Sequence, residues 1–360
     1  MANSTAAETM PAGDLLAATL PAAHRRVLTA TLPAAHRRVL TAALRAPSAH
    51  NAQPWRIHLG DGRYELHYDH HDYLPADPED RDAYLCMGAF CETLALAAVR
   101  EGLAADLRLV LERTGNDLHV ADVELRLAEG ALGAAADPLA VAVAGRATNR
   151  SRYTNEPLPA GLTTALHELR CVLVPTKQVT RIVRRASALS WRDRRYVGDL
   201  QAWIRADPGT PSGMTRSQLG LAGYEWLALQ GAFRLGRLPA PLARVYSSRD
   251  LRLLGEAPAV AVLCADSDRP ADLVEAGRRL LRAWTVICAH GFGYHPLSIA
   301  IDRPDTRPDI AALAGDHGTP VALFRIGRPT EPAAASNRLE LADVLRDAAT
   351  RPGLARSPIG

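Results

Sequence analysis

The stretch RAPSAHNAQPWR, residues 45–56, is the most informative part of the sequence. It combines a turn with side chains that could hydrogen-bond to the edge of a polar ligand. A Pro-Ser turn at Pro47 and Ser48 leaves backbone N–H groups available as donors. Asn51 and Gln53 each supply a carbonyl and an amide, which can meet an edge that carries both donors and acceptors. An ordinary helix C-terminus with turn residues is the structural alternative. The pattern predicts a binding turn between a helix and a strand.

The residues that follow predict a hairpin and then a long apolar helix. In WRIHLGDGRYELHYD, residues 55–69, two alternating segments flank a Gly-containing turn, which is typical of a β-hairpin. Acidic residues at positions 77–80 favour a helix N-terminus, and the helix continues until Gly102. Because this helix is apolar on nearly every side, we expect it inside a core or between two domains.

A second helix matches the first one at a constant distance along the chain. It is predicted to run from Leu273 to Gly291, and its Gly277 and Gly291 have the same spacing as Gly88 and Gly102. Both glycines are displaced by the same 189 residues, and an apolar residue stands three positions before the first glycine of each helix. This pattern predicts a duplicated half-domain, with the two helices packed at the centre.

The chain is therefore divided into residues 1–135 and 136–360, because the small-residue stretch 127–140 has the composition of a linker. Within the second half, residues 207–256 are rich in Gly, Pro and Arg and interrupt the pattern. Such an insertion is either a lid over a binding site or an extra packing hairpin, and loop composition alone cannot separate the two.

An exact repeat precedes the binding turn. The segment TLPAAHRRVLTA occupies residues 19–30 and recurs unchanged at 31–42, which predicts a surface helical arm whose His24 and His36 are exposed. Outside the hairpin, strands are predicted at residues 106–112, 119–127, 171–181, 259–264 and 320–326.

Two further segments carry arginines suited to an anion. In GRATNRSRY, residues 145–153, the guanidinium groups of Arg146 and Arg150 flank the hydroxyl of Thr148, an arrangement that suits a phosphate dianion. A solvated Arg-rich loop is the alternative. The terminal strand and tail, residues 320–345, contain Arg338 as a second candidate cation, with a surface arginine as the alternative.

Together these stretches resemble the nitroreductase family. Residues 46–55 are similar to its APSxxNxQPW segment, and residues 146–150 resemble its Arg-x-Ser-x-Arg segment, with Thr148 in the serine position. Residues 291–298, GFGYHPLS, resemble the loop that passes beside flavin N5, with Ser298 where Glu is more usual. The resemblance covers roughly residues 43–345, except for the insertion, and the fused arrangement looks most like the actinobacterial Acg-type proteins.

The resemblance implies an α+β fold, a nitroreductase-like α/β sandwich in which two fused half-domains form an intramolecular pseudo-dimer. One complete set of motifs implies one FMN per chain, and the central helices imply a monomer. No catalytic side chain is expected, because the flavin carries the chemistry. The residues that the resemblance assigns to FMN binding are Pro47, Ser48, His50, Asn51, Gln53, Arg146, Thr148, Asn149, Arg150, Ser298 and Arg338.

The implied activity is hydride transfer from NAD(P)H to an electrophilic acceptor such as a nitro-compound or a quinone. Two alternatives stay open: a protein that sequesters FMN with little turnover, in which the insertion closes over the flavin, and a dehydrogenase for one biosynthetic intermediate.

Several other functional classes are not expected. A net charge of +3 without a basic block interleaved with aromatics argues against nucleic acid, and the five cysteines lack metal-ligand spacing. We expect a cytoplasmic protein with no membrane span, since the N-terminus lacks the pattern of a signal peptide. The adjacent histidines of residues 69–72 should point to opposite faces, so no metal site is expected there. No GxGxxG after a strand indicates a separate nucleotide site.

Overall fold

The structure is a computed structural model that describes residues 22–60, 62–69, 77, 79–128 and 137–347. It contains helices and two main β-sheets, which confirms the mixed helix-and-sheet class predicted from the sequence. The predicted half-domain boundary at 135/136 and the turn residue Asp61 fall outside the described residues. So do residues 70–76, which include His70 and His71.

The first sheet has five strands in the order β11-β1-β2-β4-β3. Its neighbours pair antiparallel except β11, which runs parallel to β1. The predicted hairpin is β1 and β2, in which Trp55 pairs with Tyr68 and Leu59 with Tyr64. The strands are β1 (Trp55–Leu59), β2 (Tyr64–Asp69), β3 (Leu103–Thr114), β4 (Asp117–Leu127) and β11 (Leu345–Asp347).

The second sheet has four antiparallel strands in the order β5-β8-β10-β9. The prediction of a strand over 171–181 is wrong beyond Val174, because Pro175 precedes an amphipathic helix that begins at Thr176. The strands are β5 (Cys171–Val174), β8 (Ala259–Ala265), β9 (Gly293–Pro296) and β10 (Thr319–Gly327), and a short parallel pair is formed by β6 (Ile204–Arg205) and β7 (Met214–Thr215).

Helices cover one face of the first sheet and both faces of the second. The α-helices are α1 (Ala22–Thr31), α2 (Ala34–Ala43), α3 (Arg81–Arg100), α4 (Pro138–Ala142), α5 (Ala160–Glu168), α6 (Thr176–Ser190), α7 (Arg194–Trp203), α8 (Arg216–Leu219), α9 (Gly223–Leu235), α10 (Ala240–Gly255), α11 (Pro270–Ala289), α12 (Ile299–Asp302), α13 (Arg307–Ala314) and α14 (Leu341–Val344).

The two predicted central helices, α3 and α11, pack against each other through their glycines. A Cβ atom on Gly88 would lie 1.9 Å from the carbonyl oxygen of Val274, and one on Gly277 would lie 2.1 Å from that of Leu85. Leu85 and Val274 are the apolar residues three positions before each glycine. The two contacts are therefore reciprocal, and only glycine permits backbones to approach so closely.

Helix α3 is the one described helix that is long and apolar enough to cross a membrane by length and composition. In this fold, 78% of its most apolar 18-residue window is buried inside the protein. A buried core helix passes the same test, so the finding is weak support for a membrane span.

The two copies of the 12-residue repeat form α1 and α2 but differ in burial. Val39 of the second copy is fully buried, whereas its counterpart Val27 is 60% exposed. The prediction that His36 is exposed is wrong, since it is partly buried and its Nδ1 lies 2.7 Å from the Tyr64 hydroxyl. The surroundings of the His24 side chain lie outside the described residues.

The insertion, residues 207–256, is mostly helical. Helix α9 contributes Leu229 and Phe233 to a small core with α7, and α10 hydrogen-bonds to α6 through Ser187 and Ser247. The segment before α9 reaches the 45–56 stretch, as described next.

Candidate functional site

The 45–56 stretch has an unusual backbone. His50, Asn51 and Gln53 all adopt positive φ angles, at 50°, 57° and 56°. Non-glycine residues rarely do so, and such conformations persist only where the surroundings enforce them. Here the Ser48 hydroxyl helps to hold the turn, because its oxygen accepts the Gln53 N–H at 3.0 Å. The N–H groups that the sequence predicted to be free are thus partly used in hydrogen bonds within the turn itself.

The side-chain amides of this turn bind the segment 208–214, which is the start of the insertion. Asn51 Nδ2 donates to the Gly213 carbonyl at 3.1 Å, and Gly213 N–H donates to the Asn51 carbonyl at 3.1 Å. Gln53, which is fully buried, donates from Nε2 to the Pro211 carbonyl at 2.8 Å. This segment therefore lies directly over the binding turn.

The same amides also bind the tail that follows β10. Asn51 Oδ1 accepts a hydrogen bond from Arg338 Nη1 at 2.8 Å, and Gln53 Oε1 accepts the Leu339 N–H at 2.9 Å. Asn337 connects the tail to segment 208–214 by donating from Nδ2 to the Thr210 carbonyl at 2.8 Å. Three segments that are distant in sequence thus converge on two amide side chains.

Arginines converge beside this junction. Arg146 donates from Nη2 to the Arg45 carbonyl at 2.7 Å, and Arg338 donates to the same oxygen at 3.4 Å. The Nε atoms of Arg146 and Arg338 are both buried without a hydrogen-bond partner in the described part of the chain. Burial, together with the positive charges of Arg146 and Arg45, lowers the pKa of Arg338 to about 10.

In this arginine cluster, Arg45, Arg146 and Arg338, Arg146 is buried and Arg338 is half-buried, whereas Arg45 is exposed. Among the described residues, no carboxylate forms an ion pair with any of the three. Buried charges in proteins are normally paired, and a phosphate or carboxylate is the partner that guanidinium groups bind best. The cluster therefore has the chemistry of an anion site. Sequence reasoning missed Arg45, although it opens the quoted motif.

The remaining residues of the 145–153 stretch are placed around this cluster. Thr148 and Arg146 both hydrogen-bond to the Tyr294 hydroxyl. Tyr294 is thus a second site residue that was not predicted from the sequence. Asn149 donates to the Glu331 carbonyl at 2.8 Å. Arg150 binds the insertion instead, since its Nη1 donates to the Gln218 carbonyl at 3.0 Å.

His50 and Ser298 lie toward a group of carboxyls rather than toward the arginines. His50 Nε2 is 3.4 Å from Asp199 Oδ2, and the exposed Ser298 hydrogen-bonds to Asp302. Burial raises the pKa of Asp302 to about 7, and burial also raises the pKa of its neighbour Asp82. The site thus has a basic end and an acidic end.

The free space beside the turn is small. A cavity of about 10 Å³ lies between the turn and the start of α3. That volume is close to what one water molecule needs. Its lining residues are Ser48, Ala49, Ala52, Pro54, Tyr68, Asp82, Ala83 and Cys86.

Comparisons with known proteins give distant similarity. No protein-family model matches the chain. Uncharacterized proteins from two strains of Mycobacterium tuberculosis are each 26% identical over 306 residues, covering 79% of this chain and 83% of the relative. A crystal structure from Anabaena variabilis, described as a "putative nitroreductase", matches with a TM-score of 0.44 and 10% identity over 85% of this chain and 91% of that one. Similarity of this size does not reveal what either chain binds.

Proposed function

We propose that the chain is an FMN-dependent oxidoreductase of the nitroreductase type, which transfers hydride from NAD(P)H to an electrophilic acceptor. The observation that carries this proposal is the arginine cluster, where two buried Nε donors face no carboxylate of the described chain. A phosphate dianion would accept from these donors and balance the neighbouring positive charges, which together with burial, the larger cause, lower the pKa of Arg338.

The arginine end of the site fits the phosphate of FMN. Arg146 and Arg338 are held in place by the Arg45 carbonyl, so their guanidinium groups are oriented before any ligand binds. Thr148, through Tyr294, fixes Arg146 from the other side. When bound, FMN would supply the two-electron chemistry, which explains why no acid–base pair is required of the protein.

The amide end fits a flavin ring in its chemistry but is closed by the chain. Asn51 and Gln53 have the donors and acceptors that the ring edge needs, yet they bind the carbonyls of Pro211 and Gly213. We infer that segment 208–214 moves when the ring binds, and that the turn then exchanges backbone partners for the ring edge.

The same contact favours the second candidate function, an FMN-sequestering protein. A segment that closes over the binding turn by three hydrogen bonds can exclude NAD(P)H from bound flavin. In this case the protein would hold FMN firmly but reduce it slowly.

The single set of motifs supports one FMN per chain, bound by a monomer. The reciprocal contact of Gly88 and Gly277 resembles a twofold interface between two half-domains within one chain, which would make a second chain unnecessary. We therefore propose an intramolecular pseudo-dimer with one complete site.

The first experiment measures FMN binding by the purified chain and by two variants, Arg146→Gln and Arg338→Gln. Because each removes a charge-assisted contact to phosphate, we expect FMN affinity to fall by about 10- to 100-fold, and riboflavin, which lacks the phosphate, to bind weakly to all. Arg152→Gln is the matched control, since Arg152 is exposed and pairs with Glu256. Equal FMN affinity in all four proteins would falsify the proposal.

The second experiment separates turnover from sequestration. We would replace residues 208–212 with a Gly/Ser linker, which leaves the packing helices α9 and α10 in place, and follow anaerobic bleaching of bound FMN by NADPH or NADH. A sequestering protein should be reduced at least about ten times faster after the change, whereas an enzyme should be reduced readily before it. Gly223→Ala, at the start of α9, is the matched control for a change in the insertion outside segment 208–214: a Cβ there meets only the end of Arg216 at 3.7 Å, so the reduction rate should not change.

A further inference from the structure

The first sheet has a polar outer face that is nevertheless buried. Along β1 and β2, Trp55 and Ile57 point toward α3, and the alternation of a strand places His58, Glu65 and His67 on the opposite side. These three polar residues have relative exposures of 6%, 2% and 3%. Polar side chains on the outer face of a sheet are usually solvated, so their burial requires a reason.

An irregularity in β4 brings two more polar groups to this face. The register with β2 shifts between Leu66 and His67, so that His67 pairs with His119 while Glu65 pairs with Asp122. The extra residue in β4 lets positions 119 and 122 face the same side although they are three apart. The rings of His67 and His119 stack at 4.5 Å between centroids.

Each of these two histidines is oriented by a carboxylate. His67 Nδ1 lies 2.7 Å from Asp117 Oδ2, and His119 Nε2 lies 2.8 Å from Asp122 Oδ1. A carboxylate partner fixes the proton on the bonded nitrogen and leaves a lone pair on the other one. This pairing of a histidine with a carboxylate is the usual support of metal-binding imidazoles.

The nitrogen left over on His67 has nothing to bind within the described chain. His67 Nε2 is buried, has no hydrogen-bond partner among the described residues, and lies 3.6 Å from Glu65 Oε2. One ligand atom each from Glu65, His67 and His119 lies within 4.8 Å of the others.

We propose that Glu65, His67 and His119 bind a divalent first-row transition metal ion, with Asp117 and Asp122 as positioning residues. Two imidazoles and one carboxylate are ligands that such ions accept, and three protein ligands leave a coordination position for water. The site is distinct from the arginine cluster, because its ligands lie on the sheet face opposite to α3. The metal site can therefore be tested independently of FMN binding.

The test uses full-length, tag-free protein freed of metal by a chelator and titrated with Zn²⁺ in a calorimeter. We expect one Zn²⁺ per chain and a higher melting temperature with Zn²⁺. His67→Ala and His119→Ala should each weaken binding by at least about 100-fold, and Asp117→Asn by about 10- to 100-fold. His167→Ala, an exposed histidine in α5, is the matched control and should bind Zn²⁺ as the parent does.

A second measurement needs no substitution, in case a variant does not fold. Crystals of the parent protein grown with one equivalent of Zn²⁺ should show an anomalous difference peak, at the zinc absorption edge, between Glu65 and the two histidines. A peak elsewhere, no peak, or undiminished Zn²⁺ affinity in folded His67→Ala would overturn the proposal.

Discussion

Helices α3 and α11 are equivalent in length and position but not in their surroundings. Both contain twenty residues and they begin 189 residues apart, yet fifteen residues of α3 are buried against eleven of α11. Helix α3 is buried along most of its length, whereas α11 presents arginines along one side. The glycine contact between the helices is thus reciprocal, whereas the burial of the two helices differs.

The contact between α3 and α11 and the 45–56 turn differ in whether the other helix is required. The close backbone contact at Gly88 and Gly277 depends on both helices, so neither glycine can change alone. The binding turn depends on no partner of that kind. At the position displaced by 189 residues from 45–56, the chain instead ends α9 and begins α10. Among the described residues, the segment displaced by 189 residues therefore does not repeat the 45–56 turn.

The largest expected effect comes from Gly88→Ala and Gly277→Ala. Each new Cβ would overlap a backbone carbonyl oxygen at about 2 Å, and backbone cannot move aside as a side chain can. We expect each variant to lose at least about 3 kcal/mol in the free energy of unfolding, measured with urea. Gly198→Ala in α7, where a Cβ meets nothing within 4 Å, should change it by less than about 1 kcal/mol. Unequal losses for Gly88 and Gly277 would contradict the reciprocal contact.

The next effect tests the charged contact between the helices. Glu92 of α3 is 1% exposed and pairs with Arg278 and Arg282 of α11, at 2.8 and 2.6 Å. The position in α11 displaced by 189 residues is Leu281, so α11 offers no carboxylate at the matching place.

Glu92→Gln leaves two arginines without their buried partner, and both are partly solvated. We therefore expect a loss of about 1–3 kcal/mol in the free energy of unfolding. Glu275→Gln is the matched control, because Glu275 contacts the same Arg278 from an exposed position at 3.4 Å; its loss should stay below about 0.5 kcal/mol. Similar losses for the two variants would mean that burial of Glu92 adds nothing.

The carboxyl group of Asp302 predicts a pH dependence of stability. Burial, together with the negative charge of Asp77, raises the pKa of Asp302 from 3.8 to about 7. The folded chain therefore holds a proton between about pH 4 and pH 7 that the unfolded chain has released. Stability should fall as pH rises through this window, by at most about 1.4 kcal/mol per pH unit for this group.

The variant Asp302→Asn keeps a polar group for Ser298 but cannot titrate. Urea unfolding at pH 5 and pH 7.5 should show a smaller loss of stability in the variant than in the parent protein. If the free energy of unfolding changes equally between pH 5 and pH 7.5 in both proteins, Asp302 is ionised in the folded protein at pH 5.

Elements whose pattern is local were predictable from the sequence. The hairpin after Pro54 and the two long helices follow from alternation, apolar content and glycine stops. The glycine spacing related the two helices to each other, whereas their backbone contact at Gly88 and Gly277 is visible only in the structure. The strand predicted over 171–181 is partly wrong because Val172 to Val174 are strand residues, whereas the polar residues after Pro175 have helical periodicity.

What the sequence could not reveal depends on contacts between distant segments. Nothing in 208–214 indicates that its carbonyls bind Asn51 and Gln53, and nothing in β4 signals the irregularity that aligns His119 with His67. The carbonyl of Arg45, the first residue of the quoted motif, accepts hydrogen bonds from Arg146 and Arg338, and this role is visible only in the folded chain. Long-range register is not encoded in any local pattern.

The smallest expected effect concerns the glycines that end the two helices. Gly102 and Gly291 both adopt positive φ angles, at 70° and 75°, which is the left-handed conformation of a helix C-terminus. Alanine at either position should cost about 1–2 kcal/mol, and asparagine less, because its side chain tolerates that conformation. The two sites differ in one respect: a Cβ at 291 would lie 3.1 Å from Arg328 Nη1, whereas one at 102 meets nothing within 4 Å. The end of a flexible arginine can move aside. The loss of stability in Gly291→Ala, measured by thermal unfolding, should therefore exceed the loss in Gly102→Ala by only a few tenths of a kcal/mol. A much larger gap would show that Arg328, which also lies over the Phe292 ring, holds the loop after α11 in a way that the first half does not need.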